Sequence, residues 1–592
     1  MMKDGFIKVS AITTPVRPAD VDYNVDEIIK AMKAEFRKKT KIAVFPQLCI
    51  TGATCGDLCR QKVLLDAAQS GLARIAEASK GHDTLFFVGL PWQESGCVYD
   101  AAAAVQDGQI LAVVSEEFSD CLFRCMSLED LTVGLDFGNG SFPEASVVVQ
   151  MTAEPETVGA DDFTDMMLMT DSARDMTAII RANAGEGEST SDYAYGGYNV
   201  IAEGGMILAS SEPFTTGAVT TEIDVQSLAL SRMNSEMEFS DPDSECDIVD
   251  FDLIVEETVL TREIDPAPFI PESDADLDMI LRIQASGLKN RMKAINCSRL
   301  VIGLSGGLDS TCALIVCAMA CDMLGISKKN IHAFTLPCFG TSDRTYQNAC
   351  LLAKQMGCTF TEININESVR LHLQNIGHDI ENRNVAYENA QARERTQVLM
   401  DVANDEDALV VGTGDLSELA LGWCTYNGDH MSNYAVNASV PKTLMRYLVG
   451  YYADICGKKK LAEVLKDIVD TPVSPELLPA VDGRISQKTE DKIGPYDLHD
   501  FFLYYLIGCG FMPSKVFRMA KAAWGEQFDE DTILKWLDTF IRRFFSSQFK
   551  RSCLPDGPKT GAVDLSPRGE WNMPSDASRA LWLKDLETVK SR

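Results

Sequence analysis

The chain has 592 residues, of which 46% are hydrophobic, so it is long enough for two or three globular cores rather than one. Its 87 acidic and 54 basic side chains leave a formal net charge of −33, which disfavours binding to nucleic-acid backbones and to anionic membranes. We find no signal peptide and no run of about 18 apolar residues, so we expect a cytoplasmic protein whose 18 cysteines are reduced thiols.

The first part of the chain alternates short apolar runs with stretches of helical periodicity. The runs that predict buried strands are Ile7–Thr13, Lys41–Pro46, Thr84–Pro91 and Ser146–Ala153. The stretches that predict helices are Val25–Arg37, Leu64–Ser79 and Phe163–Ala182, and a hairpin is expected over Tyr198–Ser211. Strands and helices that alternate in this way predict an α/β layered domain.

An acidic, proline-containing stretch over 224–271 predicts a boundary between two domains. We place the first domain at 1–262, a linker at 263–275 and the second domain at 276–592. A helix predicted over Asp276–Ile295 opens the second domain. The strands predicted after it are Arg299–Leu304, His332–Pro337 and Thr359–Ile365, so this domain should be a second α/β unit.

The most specific local pattern is a strand that ends at Gly303 and Leu304, followed by the loop SGGLDS and an apolar helix. The loop residues are Ser305, Gly306, Gly307, Leu308, Asp309 and Ser310. Glycines let the backbone approach a phosphate, and the helix N-terminus offers unpaired N–H groups. Asp309 would repel a phosphate unless a cation lies between them, which implies Mg²⁺. No GK[ST] follows, so this is not a Walker A loop, and the full string favours a nucleotide site over a plain strand–turn–helix connection.

The loop resembles the pyrophosphate loop of the ATP pyrophosphatase superfamily, whose members cleave ATP to AMP and pyrophosphate while adenylating a carbonyl oxygen. Longer strings narrow the choice among the members of this superfamily. They are YENAQARERT at 387–396, GTGDLSELALGWCTYNGDHMS at 412–432, NASVPKT at 437–443, SPELLP at 474–479, QKTEDKIGPYDLHDFFLYY at 487–505, RRFFSSQFKRSCLPDGPK at 542–559 and LSPRGEWNMPSDA at 565–577. In this order they resemble the synthetase domain of glutamine-dependent NAD⁺ synthetases, which implies a Rossmann-like, doubly wound parallel sheet.

The resemblance implies roles for individual residues. Asp309, Glu418 and Lys442 would be catalytic, and Asp309 and Glu418 would hold Mg²⁺ on the ATP phosphates. ATP would also contact Thr413, Lys442 and the loop from Gly303 to Ser310. The residues that would hold deamido-NAD⁺ are Asn389, Arg393, Glu418, Trp423, Cys424, Thr425, Tyr426, Asp429, Lys550 and Lys559.

Several positions also have simpler interpretations. Arg393 and Arg395 could lie on a solvated helix face, and Trp423 could be a core residue. Asp415 and Ser417 could merely cap the helix that follows them. The assignment therefore rests on the order of the strings and not on any single residue.

Residues 1–230 carry the strings FPQLCITGATCGDL at 45–58 and AGEGESTSDYAYGGYNVIAEGG at 184–205. They resemble the nitrilase-type glutaminase domain that precedes such synthetases, which implies an α-β-β-α sandwich. That domain uses a Glu–Lys–Cys triad. Here Gln47 stands at the base position, Glu116 at the lysine position and Asp136 at the nucleophile position. Since Gln47 cannot take a proton and Glu116 would repel an oxyanion, we predict a degenerate triad and an inactive glutaminase.

The alternative is an active glutaminase that uses another cysteine as its nucleophile. Cys121 and Cys125 lie near the degenerate positions, and one of them could have taken over as nucleophile, although Gln47 and the missing lysine argue against it. These two cysteines, and the pair Cys55 and Cys59, also lack the paired spacing of a zinc site, so we do not expect cysteine to bind a metal.

The sequence thus predicts a synthetase that amidates deamido-NAD⁺ with ATP and Mg²⁺, using ammonia from solution or from a glutaminase-active partner. The resemblance implies a homo-oligomer, octamer-like or another large assembly, and we expect no nucleic-acid or membrane partner. Two alternatives stay open, namely a conventional glutamine-dependent synthetase and an idle paralogue that assembles with an active one. Asn572, where the family usually has arginine, leaves the idle alternative open. The intact SGGLDS and GTGDLSE strings argue against it, because Asp309 and Glu418 repel each other without a cation.

Overall fold

The computed structural model describes residues 4–115, 121–137, 145–235, 247–254, 256–339, 343–471 and 489–590. The chain divides into two compact units, Met1–Glu263 and Ile264–Arg592. The domain limits predicted from the sequence, 1–262 and 276–592 with a linker at 263–275, stay a prediction. Within the described residues, no helix has both the length and the apolar character needed to cross a membrane.

The first unit is built mainly from strands. They are β1 (Phe6–Thr13), β2 (Ile42–Val44), β3 (Leu85–Glu94), β4 (Cys97–Gln106), β5 (Gln109–Val114), β6 (Cys121–Cys125), β7 (Thr132–Asp136), β8 (Val147–Thr152), β9 (Ala178–Asn183), β10 (Val200–Glu203), β11 (Met206–Ser210), β12 (Gly217–Asp224) and β13 (Asp247–Phe251). Its helices are α1 (Val21–Lys38), α2 (Lys62–Ala78), α3 (Ala160–Asp175) and α4 (Val225–Met233), and Ala53–Arg60 forms 3₁₀ turns.

These strands form two sheets that pack face to face. One has the order β12-β1-β2-β3-β4-β5 and the other the order β11-β10-β9-β8-β7-β6-β13. Between them, the rings of Phe87 and Phe123 meet edge to face with their centroids 5.4 Å apart. Helices α1 and α2 pack on the outer face of the first sheet, and α3 packs through Leu168 on the outer face of the second. The predicted α-β-β-α sandwich is confirmed.

One predicted helix is wrong. The stretch Phe163–Ala182 was expected to be helical throughout, but α3 ends at Asp175 and β9 begins at Ala178. Met176 adopts a left-handed conformation with φ of 49°, which stops the helix. The β-branched residues that follow then pair with β8.

The second unit is a parallel sheet covered by helices on both faces. Its strands are β14 (Leu300–Gly303), β15 (Ile331–Thr335), β16 (Thr359–Glu362), β17 (Leu409–Gly412) and β18 (Tyr434–Ala435). Its helices are α5 (Asp274–Ala294), α6 (Leu308–Leu324), α7 (Asp343–Met356), α8 (Asn366–Asn375), α9 (Val385–Asp405), α10 (Leu416–Leu421), α11 (Lys442–Ile455), α12 (Lys459–Val469), α13 (Thr489–Ile493), α14 (Tyr496–Phe502), α15 (Pro513–Trp524), α16 (Glu530–Ser546), α17 (Gln548–Arg551) and α18 (Ala580–Lys590), with a π-helical turn over Leu503–Gly508.

The strand order β16-β15-β14-β17-β18, parallel throughout, gives the predicted doubly wound fold. Alternate residues of the central strand face opposite sides. Leu300 and Ile302 join the core beneath α5, α6 and α11, whereas Val301 joins the core beneath α8 and α9. Because the chain leaves β14 toward β15 on one side and reaches β17 on the other, a crevice opens at the carboxyl ends of β14 and β17.

The loop after β14 turns tightly against α7. Gly306 has φ of +87°, and a Cβ at this position would lie 2.0 Å from the carbonyl oxygen of Thr345. No other amino acid fits there without moving α7 or the loop. The glycine is therefore required by packing as well as by its backbone conformation.

We expect Gly306→Ala to lower the melting temperature more than Gly325→Ala does. Gly325 also has a positive φ, of +67°, but a Cβ there would meet no atom within 4 Å. The control should cost only the roughly 1–2 kcal/mol of a left-handed alanine, whereas Gly306→Ala adds the clash. Differential scanning fluorimetry of both variants measures the difference, and equal shifts would contradict the packing argument.

Candidate active site

A cavity of about 770 Å³ opens at the carboxyl ends of β14 and β17. It brings together most of the residues predicted for the nucleotide sites, although they are spread along the chain from Gly303 to Lys550. The predicted residues that line it are Gly303, Leu304, Ser305, Gly307, Leu308, Asp309, Ser310, Asn389, Arg393, Thr413, Glu418, Trp423, Cys424, Thr425, Tyr426, Asp429 and Lys550.

One wall of the cavity is the N-terminus of α6. Gly307 is the residue before the helix and supplies no side-chain cap, so the first backbone N–H groups of α6 keep donors for a ligand. The Ser305 hydroxyl accepts the Gly307 N–H at 3.2 Å and lies 3.1 Å from the Ser310 hydroxyl. Exposed N–H groups, hydroxyls and the positive end of the helix dipole form a site suited to an anion.

Behind this wall, one ammonium group holds three carboxylates. Lys442, the first residue of α11, has its Nζ 2.6 Å from Asp309 Oδ1 and 2.7 Å from Asp415 Oδ2. The same Nζ lies 3.1 Å from Glu418 Oε1. Carboxylate oxygens of the three acids lie within 4.8 Å of one another, an arrangement of hard oxygen donors that could also hold a metal ion.

The electrostatics of this cluster are those of a buried excess of negative charge. Burial raises the pKa of Asp415 to about 6 and raises the pKa of Glu418 well above its usual value, although Lys442 opposes both shifts. Burial lowers the pKa of Lys442, but the three carboxylates outweigh it and hold that pKa well above its ordinary value. The ammonium therefore stays protonated, and the site can accept further positive charge.

Helix α10 carries Glu418, and cations from α16 and α17 bind the carbonyls at the C-terminus of α10. The fully buried Arg551 donates to two carbonyls in its last turn, and Arg543 donates to a third at 3.0 Å. Lys550 Nζ donates to the carbonyls of residues 422 and 424, just after the helix, at 2.7 and 2.6 Å. A helix of six residues is unstable alone, so these cations help to keep Glu418 in place.

The loop that follows α10 forms another wall. Asp429 Oδ1 accepts the Thr425 N–H at 2.6 Å, and the Thr425 hydroxyl donates to Asn389 Oδ1 at 2.9 Å. Arg393 donates to the carbonyl of Tyr426 at 3.2 Å. Three of these residues thus form one chain of hydrogen bonds and the other two form a separate pair, and both sets hold the wall in place without a ligand.

Trp423 is neither a pure core residue nor an open platform. It lines the cavity, while the Arg543 guanidinium lies 5.1 Å from its ring centroid. Arg395, for which a solvated face was the alternative, also lines the cavity and donates to the carbonyl of Leu336 at 3.2 Å.

Three predicted residues are not brought to the cavity surface. Gly306 lies beneath the loop, and Lys442, 1% exposed, lies behind the wall. Lys559 instead pairs with Glu570 at 2.7 Å, with both side chains about two-fifths exposed.

Sequence reasoning missed two residues that hold the site. Asp415 was interpreted as a helix cap, and its Oδ1 does accept the Glu418 N–H at 2.8 Å, but its other oxygen faces Lys442. The buried Asn437 donates to the backbone carbonyls of Asp309 and Thr413, and so ties the loop after β14 to the loop after β17. Its place in NASVPKT, five residues before the lysine, is the signal that could have indicated it.

Comparison with known proteins agrees with this geometry. A family model described as NAD synthase matches residues 280–536. The glutamine-dependent NAD⁺ synthetase of Mycobacterium tuberculosis is 34% identical to the chain and is aligned over 98% of each protein. The chain belongs to the glutamine-dependent NAD⁺ synthetase family. It is accordingly a ligase that forms a carbon–nitrogen bond in making NAD⁺.

Other relatives are more distant. The glutamine-dependent NAD⁺ synthetase of Aquifex aeolicus is 24% identical over 94% of this synthetase and 96% of its own chain. A glutamine-dependent NAD⁺ synthetase from Cytophaga hutchinsonii, known as a crystal structure, is 18% identical over 98% of this chain and 100% of its own, with a TM-score of 0.43. The alignment with the Mycobacterium tuberculosis protein spans 666 positions, more than the 592 residues of the chain, so that relative has stretches without a counterpart in this synthetase.

The first unit of the synthetase contains a smaller cavity, of about 370 Å³. Gln47, just after β2, and Asp136, the last residue of β7, both line it. Gln47 Nε2 donates to Asp100 at 2.9 Å, and Gln150 Nε2 donates to Asp136 at 2.8 Å. Glu116, the third degenerate position, lies outside the described residues.

The two cysteines considered as replacement nucleophiles do not line this cavity. Cys121 and Cys125 are 4% and 2% exposed and belong to the core between the two sheets. Among the described residues that line the cavity there is neither a cysteine nor a lysine. No described side chain there can act as the nucleophile or the ammonium of a Glu–Lys–Cys triad.

We expect Lys442→Met to destabilise the synthetase by about 3–5 kcal/mol, since it leaves the fully buried Asp415 and two partly buried carboxylates without their cation. The loss should shrink as the pH falls toward about 6, the wild-type pKa of Asp415, because without the ammonium the pKa of this buried carboxyl rises further and the variant takes up the stabilising proton at a higher pH than the wild type does. Thermal unfolding between pH 5 and pH 8 measures both effects.

The matched control is Lys559→Met, which removes an exposed ion pair and should cost less than about 1 kcal/mol at either pH. Equal losses for the two variants would show that the buried cluster contributes no more than a surface pair.

Proposed function

We propose that this synthetase amidates deamido-NAD⁺ with ATP and free or partner-supplied ammonia, releasing NAD⁺, AMP and pyrophosphate. The observation that carries the proposal is that an anion-binding helix N-terminus lines one cavity together with Asp309 and Glu418, whose carboxylates belong to the cluster that Lys442 holds behind the cavity wall. The cavity, at about 770 Å³, lies toward the large end of ligand pockets, as two nucleotide substrates require.

The carboxylate cluster fits a magnesium ion. Asp309, Asp415 and Glu418 offer oxygen ligands, and their one ammonium leaves a net negative charge. We assign Asp309 and Glu418, which line the cavity, as the residues that would hold Mg²⁺. When bound, the ion supplies positive charge that neutralises the phosphate oxygens of ATP.

The chemistry then needs positioning and charge stabilisation from the protein. The nicotinate carboxylate attacks the α-phosphorus of ATP, the bond to pyrophosphate breaks, and ammonia then displaces AMP from the mixed anhydride. The N–H groups at the start of α6 would bind the phosphates. Lys442, which lies behind the Asp309 carboxylate, would stabilise the negative charge that develops on the reacting groups. Thr413, Asn389 and Asp429 line the space left for the two substrates.

We infer that the first unit is a pseudo-glutaminase. Its cavity presents an amide at position 47 and a carboxylate at position 136, and the described lining residues include no thiol and no lysine. The relatives carry the words glutamine-dependent in their names, which favours the alternative of a conventional, glutamine-using enzyme. The nitrogen source therefore separates the two candidates.

We also infer that the synthetase acts in the cytoplasm as a homo-oligomer and takes its ammonia from solution or from a glutaminase-active partner. These inferences rest on the sequence and on its family resemblance.

We expect NAD⁺ formation from ATP and deamido-NAD⁺ with ammonium chloride as the nitrogen source and none with millimolar glutamine. An enzymatic cycling assay for NAD⁺, on protein freed of ammonium, measures both rates. Turnover with glutamine would contradict the pseudo-glutaminase, and silence with both sources would favour an idle paralogue.

We expect Asp309→Asn to raise the Mg²⁺ concentration needed for half-maximal activity by about tenfold or more, because it removes one carboxylate ligand. Rates measured against free Mg²⁺ at saturating ATP give this value, and EDTA should abolish the activity of wild type and variant alike. Asp322→Asn is the control, since Asp322 lies on the same helix but forms an exposed pair with Lys328. An unchanged Mg²⁺ requirement in Asp309→Asn would remove this residue from the metal site.

A further inference from the structure

A single buried carboxylate joins the two helices that carry the catalytic cluster. Asp500, on α14, is 3% exposed. Its Oδ1 accepts the Ser417 hydroxyl at 2.5 Å, and its Oδ2 accepts the Thr443 hydroxyl at 2.7 Å and the Thr443 N–H at 3.0 Å. Among the described residues Asp500 has no ion-pair partner, so these three donors hold its carboxylate.

The same network reaches the backbone of Lys442. The Ser417 hydroxyl, which donates to Asp500, accepts the Lys442 N–H at 2.8 Å. Asp500 therefore fixes the first turn of α10 and the first two residues of α11 at once. Glu418 follows Ser417, and Lys442 precedes Thr443, so both ends of the ammonium–carboxylate contact lie next to the network.

Helix α11 needs these acceptors because it has no cap of its own. Pro441 precedes it and offers no side-chain acceptor. The N–H groups of Lys442 and Thr443 would otherwise be buried donors without partners, and such groups are costly. Ser417 and Asp500 take the place of the missing cap.

We propose that Asp500 is a positioning residue for catalysis, which acts through Ser417 and the backbone of residues 442–443 to hold the Lys442 ammonium at the carboxylate cluster. The inference rests on the proposed role of Lys442 in the synthetase reaction. Asp500 lies outside the residues that line the cavity, so it would act on the reaction only through other residues.

The test uses Asp500→Asn in the full chain, with Ser417→Ala as a second variant that cuts the link to Lys442 but keeps the contacts with Thr443. We expect kcat with ammonium to fall between about tenfold and about a hundredfold, as for a small misplacement of a catalytic group, while KM for ATP changes less than about twofold. Asp497→Asn, an exposed position on the same helix, should leave both constants unchanged.

A second readout follows Lys442 directly and needs no turnover. Limited acetylation of the folded protein with acetic anhydride, quantified by mass spectrometry, should modify Lys442 several-fold faster in both variants than in wild type. Lys515, which is also 1% exposed, should stay unmodified in all of them, which excludes general unfolding.

The outcomes separate the two proposals. Faster acetylation of Lys442 together with a lower kcat supports the positioning role. Unchanged acetylation of Lys442 overturns it. An equal increase in the acetylation of Lys515 overturns it too, because it would show general unfolding. Faster acetylation with an unchanged kcat also overturns it, since the ammonium would then not serve the reaction. A wild-type protein that makes no NAD⁺ contradicts the proposed function instead, and the labelling still tests the contact.

Discussion

The contact between the Lys442 ammonium and three carboxylates is the constraint on which the rest of the second unit depends. Its four members come from the starts of α6, α10 and α11, so forming the contact fixes three helices relative to the central strand. Buried charges of this kind are costly unless every partner is held in place. The surrounding polar contacts, from the Asn437 amide to the Asp500 carboxylate, supply that restraint. The site is thus ordered by the same interactions that provide its chemistry.

The first unit shows the opposite relation between fold and chemistry. Its two sheets and outer helices form a complete sandwich, and its cavity keeps about 370 Å³ of space. The groups at positions 47 and 136 instead hydrogen-bond to their neighbours Asp100 and Gln150. The neutral amides of Gln47 and Gln150 thus satisfy the carboxylates of Asp100 and Asp136. The core between the two sheets stabilises this unit whatever groups stand at positions 47 and 136.

Local patterns predicted most of the fold and part of the site. The strand, loop and helix around Ser305–Ser310 follow from alternation, glycine and apolar periodicity, all of which are local, and the parallel sheet follows from their repetition. The burial of Lys442 and the second role of Asp415 could not be predicted, since they depend on residues that meet only in the folded chain. The same holds for Lys550, expected at a substrate and found to bind two helix-end carbonyls as well. The predicted helix to Ala182 failed because one left-handed residue, Met176, overrides periodicity.

The cations that hold the end of α10 have a consequence for how the protein folds during its synthesis. Arg543, Lys550 and Arg551 come more than 120 residues after the helix they stabilise. A growing chain on the ribosome therefore carries Glu418 long before it carries the groups that keep Glu418 in place. The first unit can fold while synthesis continues, but nucleotide binding must wait until almost the whole chain has emerged. An interrupted translation product would be a folded sandwich attached to an unfinished, silent ligase.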